Sequence, residues 1–113
     1  MHEYPITEHI VDICSQQCRE AEASRVSAIN IVIGDYSGYV SESIEMYFDI
    51  IAEGTPCEGA ALNFTKIKPK LKCDKCGHLF EKRPMTFDCP MCGGQGGPTD
   101  IGKEFFIENI EVE

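Results

Sequence analysis

Basic residues are scarce along most of this chain. Of its 113 residues, 10 are Lys or Arg against 19 Asp or Glu, and residues 1–65 hold Arg19 and Arg25 against eleven carboxylates, so that stretch carries a net charge equal to the whole chain's −9. An acidic body repels phosphate backbones, which argues against general nucleic-acid binding. No apolar run approaches the roughly 20 residues that a bilayer-spanning helix requires, and no basic stretch followed by an apolar one stands near the start. No membrane role and a cytoplasmic location are therefore expected. A GxxxxGK[ST] loop is also absent. The Gly-rich "GGQGGP" lacks the lysine and hydroxyl that phosphate and magnesium binding demand, so nucleotide hydrolysis would have to come from a partner. Three histidines are present, His2, His9 and His78, and none sits in a nucleophile-and-base arrangement. No enzymatic activity is expected.

Cysteine, by contrast, is plentiful. Seven are present, and four fall in the pattern Cys73-x2-Cys76-x12-Cys89-x2-Cys92. Two C-x-x-C turns a dozen residues apart can deliver four thiolates to the corners of a tetrahedron, and Gly77 and Gly93 follow the pairs with the backbone freedom such turns need. In a reducing compartment these are metal ligands rather than a disulfide framework. The segment between them is too short for a core of its own, so metal binding supplies much of its folding energy. Zinc and iron both satisfy a four-sulfur site; a closed zinc site has no open position and does no catalysis. His78 reads as a turn residue beside this site. Cys14 and Cys18, one helical turn apart, read as core packing, and Cys57 has no partner that the sequence identifies.

The rest of the chain alternates helical and extended patterns. Ile6, Ile10, Ile13, Cys14, Cys18 and Ala21 recur at three- and four-residue spacing, opposite Glu8, Asp12, Gln16, Arg19 and Glu20; this predicts an amphipathic helix from Ile6 to about Ala23 with Pro5 in its first turn. "VSAINIVIG" is β-branched and reads as a strand ended by Gly34. Ser41 is placed to cap a second helix running to about Glu53, with Gly54 as its stop and Ile44, Tyr47, Phe48 and Ile51 as its buried stripe. "ALNFTKIKPKLKC" returns to period two and reads as a strand leading into the cysteines, with Lys66, Lys68, Lys70 and Lys72 on one side. Those lysines, with Lys75, Lys82 and Arg83, read as a solvated face first and a docking surface for an acidic partner second. "KEFFIENIEVE" reads as a closing strand in which Phe106, Ile110 and Val112 are the apolar positions. The fold class expected is α+β: two helices on a three-stranded sheet, with an inserted four-cysteine ribbon. Residues 1–68 plus 99–113 would form the mixed domain and residues 69–98 the ribbon.

"MHE" at the start adds a second candidate metal site. The Met1 amine, the His2 backbone nitrogen and the His2 imidazole Nδ1 can close two fused chelate rings around one ion, with the Glu3 backbone nitrogen or carboxylate as a fourth donor. Square-planar nitrogen donors suit Ni(II) or Cu(II). Pro5 has no amide proton, so the run of nitrogen donors cannot extend past Tyr4.

Taken in order, "MHE", "IGDYSGYVSESIEMYFDIIAEGTPCEGAAL", "CDKCG", "CPMCG" and "IENIEVE" resemble the HypA/HybF family, nickel metallochaperones of NiFe-hydrogenase maturation, over essentially the whole chain. The resemblance implies two metals with separate tasks: transferable Ni(II) on Met1, His2 and Glu3, and structural Zn(II) on Cys73, Cys76, Cys89 and Cys92. It implies a GTPase partner of the HypB type, delivery to the NiFe-hydrogenase large-subunit precursor, and in some organisms service to urease maturation proteins. The oligomeric state expected is a monomer or weak homodimer. The alternative is a zinc-ribbon module that binds protein or nucleic acid without any nickel role, and a rubredoxin-like electron carrier would follow if the four sulfurs held iron.

Overall fold

The computed structural model describes residues 3–113. Its elements run α1 (Glu3–Glu20), β1 (Val26–Gly34), α2 (Ser41–Ile51), β2 (Ala61–Ile67), β3 (Leu71–Cys73), β4 (Leu79–Phe80), β5 (Gly96–Gly97) and β6 (Phe105–Val112). The expected class, two helices with a three-stranded sheet and an inserted cysteine ribbon, is the one observed.

β1 is the centre of the main sheet, in the order β2-β1-β6. α2 connects β1 to β2, and the length of that crossover lets the two strands run parallel, Ile29 opposite Leu62 and Ile31 opposite Phe64. β6 closes the other side antiparallel to β1. α1 buries Ile10, Val11, Cys14 and Cys18. Together with Ile29, Ile31 and Ile33 of β1 and Ile44 and Phe48 of α2 they form one apolar cluster. Burying such side chains drives assembly at roughly 25 cal/mol per Å² of apolar surface.

Four local expectations are corrected by the structure. α1 begins at Glu3 and ends at Glu20 rather than running to Ala23. Pro5 is tolerated this early because the first four N–H groups of a helix have no intrahelical partner. At the far end Glu22 adopts a left-handed φ of 56°, and the Ala23 N–H turns back to the Cys18 carbonyl at 3.0 Å, which closes the helix.

The N-cap of α2 is Val40, with no side-chain capping bond of its own; Ser41 is already helical. The Val40 N–H instead donates to Glu3 Oε2 at 3.0 Å, a carboxylate brought from 37 residues away.

The single strand expected across residues 61–73 is two. Pro69 has no N–H to give to a ladder, and around it the chain leaves the main sheet and enters a second one, ordered β4-β3-β5.

In β6 the inward side chains are Phe105, Ile107 and Ile110, while Phe106 is 49 % exposed and Val112 38 %. A register shift between Asn30 and Ile31 on β1 faces Asn109 and Ile107 on β6, so Glu108 is an extra residue that breaks the period-two alternation.

Both connections to the second sheet are fastened at the end of β1. A Cβ on Gly34 would lie 2.0 Å from the Gly102 carbonyl oxygen, and a Cβ on Gly102 would lie 2.8 Å from Pro69 Cα. Three stretches of backbone are therefore stacked at this junction, where no side chain fits.

Candidate metal centre

The second sheet exists to present sulfur. Cys73 ends β3, and its Sγ accepts the backbone N–H groups of Lys75 and Cys76, each at 3.4 Å. The Gly77 N–H returns to the Cys73 carbonyl at 3.1 Å, with Gly77 at φ 74°. The second pair repeats the turn. Cys89 Sγ accepts the Met91 N–H at 3.4 Å, the Gly93 N–H returns to the Cys89 carbonyl at 2.9 Å, and Gly93 has φ 76°. Glycine is required at both places because an L side chain rarely adopts such angles.

These turns bring Cys73 Sγ to 3.4 Å from Cys92 Sγ and Cys76 Sγ to 3.7 Å from Cys89 Sγ, and all four sulfurs lie within 4.8 Å of one another. No disulfide joins them. A tetrahedral ion with bonds of about 2.3 Å needs sulfurs about 3.8 Å apart, so the donor set fits a zinc-sized ion. Cys73 and Cys89 are buried whereas Cys76 and Cys92 are exposed, which places the cluster at the ribbon surface.

The electrostatics agree with a cation site. The Cys76 N–H, followed by that of Lys75 and the neighbouring thiols of Cys92 and Cys76, lowers the Cys73 thiol to about 6. Against the lowering effect of the His78 N–H, the crowded sulfur of Cys92, local desolvation and the sulfurs of Cys73 and Cys89 push the Cys76 thiol up to about 12. Four thiolates this close repel one another, and a divalent cation is what permits all of them to ionise.

Two supporting residues escaped the sequence reading. A Cβ on Gly94 would lie 2.9 Å from Cys73 Sγ, and a Cβ on Gly96 would lie 2.5 Å from Phe80 Cζ. Gly96 and Gly97 form β5 against β3, within the Gly-rich "GGQGGP" stretch. No periodicity reveals a two-residue glycine strand. His78 stands outside the sulfur cluster, its ring stacked on Phe80 at 6.2 Å and its carbonyl accepting the Cys73 N–H.

The remaining cysteines are core. Cys14 is raised to about 12 by burial and by the nearby Cys57. Cys57, for which the sequence offered no partner, packs under α1 with its Sγ 3.5 Å from Ser15 Oγ and 3.7 Å from the Val11 carbonyl oxygen. Its thiol too is raised, by burial first. Thiols held protonated in this way are poor ligands and poor nucleophiles.

Of the expected nickel donors, Met1 and His2 lie outside the described residues. Glu3 is 3 % exposed and bonds to Val40 as described above, while its carbonyl accepts the Thr7 hydroxyl. Tyr4 meets Tyr47 of α2 edge-on at 5.3 Å. The first turn of α1 is thus fixed to α2 by one polar and one aromatic contact. The lysine-rich stretch is divided among elements: Lys66 pairs with Glu42 at 3.6 Å and Lys68 with Glu81 at 3.8 Å. Among the described residues no helix is long and apolar enough to cross a membrane.

Comparison with known proteins bears directly on this arrangement. The family described as "Hydrogenase/urease nickel incorporation, metallochaperone, hypA" matches residues 1–112. A hydrogenase maturation factor HypA from Caldanaerobacter subterraneus subsp. tengcongensis is 45 % identical, with 100 % of both chains covered. One from Dehalococcoides mccartyi is 42 % identical over 100 % of this chain and 95 % of its own. Among solved structures, a solution structure of HypA protein superposes with a TM-score of 0.72 at 22 % identity, covering 100 % of this chain and 97 % of that one. The solution structure of the Ni metallochaperone HypA from Helicobacter pylori gives 0.64 at 23 % identity, covering 99 % and 97 %. These two likenesses speak for the fold, and the sequence matches speak for the family: this chain belongs to the HypA family of hydrogenase/urease nickel-incorporation metallochaperones, which are carriers and not enzymes.

Proposed function

We propose that this protein carries Ni(II) on its first three residues and, with a HypB-type GTPase, delivers it to the NiFe-hydrogenase large-subunit precursor in the cytoplasm, while Cys73, Cys76, Cys89 and Cys92 hold a structural Zn(II). The observation that carries the reading is the family match over residues 1–112, which takes in "MHE" and both cysteine pairs together. The donors for nickel are the Met1 amine, the His2 backbone nitrogen and imidazole, and Glu3. Because Glu3 Oε2 is already engaged by the Val40 N–H, the Glu3 backbone nitrogen is the better fourth donor, and four nitrogens suit a square-planar ion. The chain then divides into a nickel-carrying domain, residues 1–68 plus 99–113, and a zinc ribbon, residues 69–98.

A carrier must win the ion and also surrender it. Donors at a chain end can be peeled away one at a time, whereas four sulfurs closed around zinc have no open position and serve to fold the ribbon.

Metal analysis of the purified full chain tests the assignment. His2→Ala and, separately, an N-terminal extension that blocks the amine should each abolish nickel binding and leave one zinc per chain. Nickel affinity should also fall between pH 7.5 and 6, since the amine (about 7.7 to 8.0) and the imidazole (about 6.5) must lose protons to bind. Unchanged nickel binding in the extended chain would overturn the proposal.

A further inference from the structure

The four sulfurs of the ribbon are not equivalent. Cys73 Sγ accepts two backbone N–H bonds, from Lys75 and Cys76 at 3.4 Å each. Cys89 Sγ accepts one, from Met91 at 3.4 Å, and the Cys76 sulfur takes the His78 N–H. Among the described residues no N–H reaches Cys92 Sγ, which faces only other sulfurs, that of Cys73 at 3.4 Å. Each N–H aimed at a thiolate draws charge from it, which makes the sulfur a weaker nucleophile and its bond to a metal harder to attack.

Access divides the four a second time. Cys73 and Cys89 are buried, whereas Cys76 and Cys92 are exposed. Gly94 packs so closely on Cys73 that a Cβ there would lie 2.9 Å from its Sγ. Cys92 has no such cover: Met91 before it is 72 % exposed, and Gly93 and Gly94 after it carry no side chain. Exposure and the lack of an N–H bond therefore coincide at Cys92 and at none of the other three. The remaining thiols, Cys14, Cys18 and Cys57, are at most 1 % exposed.

We propose that Cys92 is a modification site, the sulfur at which a peroxide attacks the ribbon, and that Cys73 resolves it as a Cys73–Cys92 disulfide with expulsion of the bound ion. A zinc-held thiolate stays ionised at neutral pH because the ion, not a proton, holds it. The Cys92 thiolate attacks one peroxide oxygen, the O–O bond breaks, and the products are Cys92 sulfenic acid and hydroxide. The Cys73 thiolate then attacks the Cys92 sulfur, the S–O bond breaks, and a second hydroxide leaves. Two electrons pass from the sulfur pair to the peroxide. Cys76 and Cys89 alone are too few to hold zinc in a closed site. The ribbon's own buried cluster is only Cys73, Phe80 and Cys89 with Leu71 against it, so loss of the ion unfolds it. A dithiol reductant, by returning the two electrons, lets zinc and the ribbon reassemble. This inference rests on the reading that these four cysteines hold zinc and is independent of the nickel assignment.

Hydrogen peroxide added to the zinc-loaded full chain at neutral pH tests it, with released zinc read by a chromogenic chelator and each cysteine mapped by mass spectrometry. With dimedone present to trap sulfenic acid, the earliest adduct should be on Cys92. Without dimedone, the first disulfide should join Cys73 to Cys92 as zinc appears in solution, with Cys14, Cys18 and Cys57 unmodified. Dithiothreitol and added zinc should then restore amide protection across the ribbon. Cys92→His and Cys76→His each keep four donors of types that zinc accepts. Cys92→His should slow zinc release at least about tenfold, and Cys76→His should release zinc near the wild-type rate. Should either variant fail to hold zinc, the wild-type maps decide by themselves. A first adduct on Cys76, a first disulfide between any other pair, or equal slowing in the two variants overturns the proposal. A chain that purifies without zinc overturns the zinc reading and this inference with it, whereas a zinc-loaded chain that reacts elsewhere overturns this inference alone.

Discussion

Gly34→Ala should be the most damaging single-methyl change in the molecule. The added Cβ would lie 2.0 Å from the Gly102 oxygen and 2.2 Å from the Gly102 carbonyl carbon, some 1.5 Å inside ordinary contact at roughly 3.5 Å. Relaxation is blocked on every side. The Gly34 N–H donates to the Glu104 carbonyl at 2.7 Å and the Tyr36 N–H to the Gly102 carbonyl at 2.7 Å. The Gly102 N–H is held by Glu104 Oε1 at 2.7 Å, and behind it stands Pro69. Overpacking a side chain into a core costs about 1 to 3 kcal/mol; here the obstacle is backbone, and parting it strains several hydrogen bonds, so at least about 3 kcal/mol is expected. Gly38→Ala supplies the contrast, since Gly38 has φ +89° with open space around it. That variant bears only the left-handed penalty, about 1 to 2 kcal/mol. Urea unfolding of the zinc-loaded protein, at a slope of about 1 to 2 kcal/mol per M, should separate the two midpoints by about 1 M or more. If Gly34→Ala is no less stable than Gly38→Ala, the stacked junction is not what joins the ribbon to the main sheet.

Three further outcomes are expected. Glu22→Gly should stabilise the chain by about 1 kcal/mol in the same assay, because Glu22 sits at φ 56° behind α1 and glycine takes that conformation without the Cβ penalty; a loss of stability would contradict this account of the helix end. Removing metal with a strong chelator should abolish amide protection across residues 71–97 while the helical circular-dichroism signal of α1 and α2 persists, since the ribbon's buried cluster is only Cys73, Phe80 and Cys89 with Leu71 against it; unaltered protection would show that the ribbon folds without its ion. Glu3→Gln should retain nickel, as its amide oxygen can still accept the Val40 N–H and its backbone nitrogen is unchanged; loss of nickel in Glu3→Gln would instead make the carboxylate itself a donor.

Much of this molecule could be read from local pattern. The extent of β1 follows from its β-branched run and terminal glycine, the helices from their three- and four-residue apolar spacing, and the sulfur cluster from two turns whose geometry is encoded within five residues each. What escaped depends on distant residues. The outward turn of Phe106 comes from a bulge that exists only when β6 lies against β1. The α2 cap looked like Ser41 because sequence shows only neighbours, whereas the bond comes from Glu3.

The sequence by itself determined the order of the two helices and the main-sheet strands, the four-sulfur donor set and the family, because each rests on short-range spacing that survives without coordinates. Only the tertiary structure decided that Glu3 locks α1 onto α2, that Gly34, Gly102 and Pro69 stack into one junction, and that Cys57 lies beneath α1. Those contacts join residues tens of positions apart, and packing in three dimensions, not adjacency along the chain, selects which of them form.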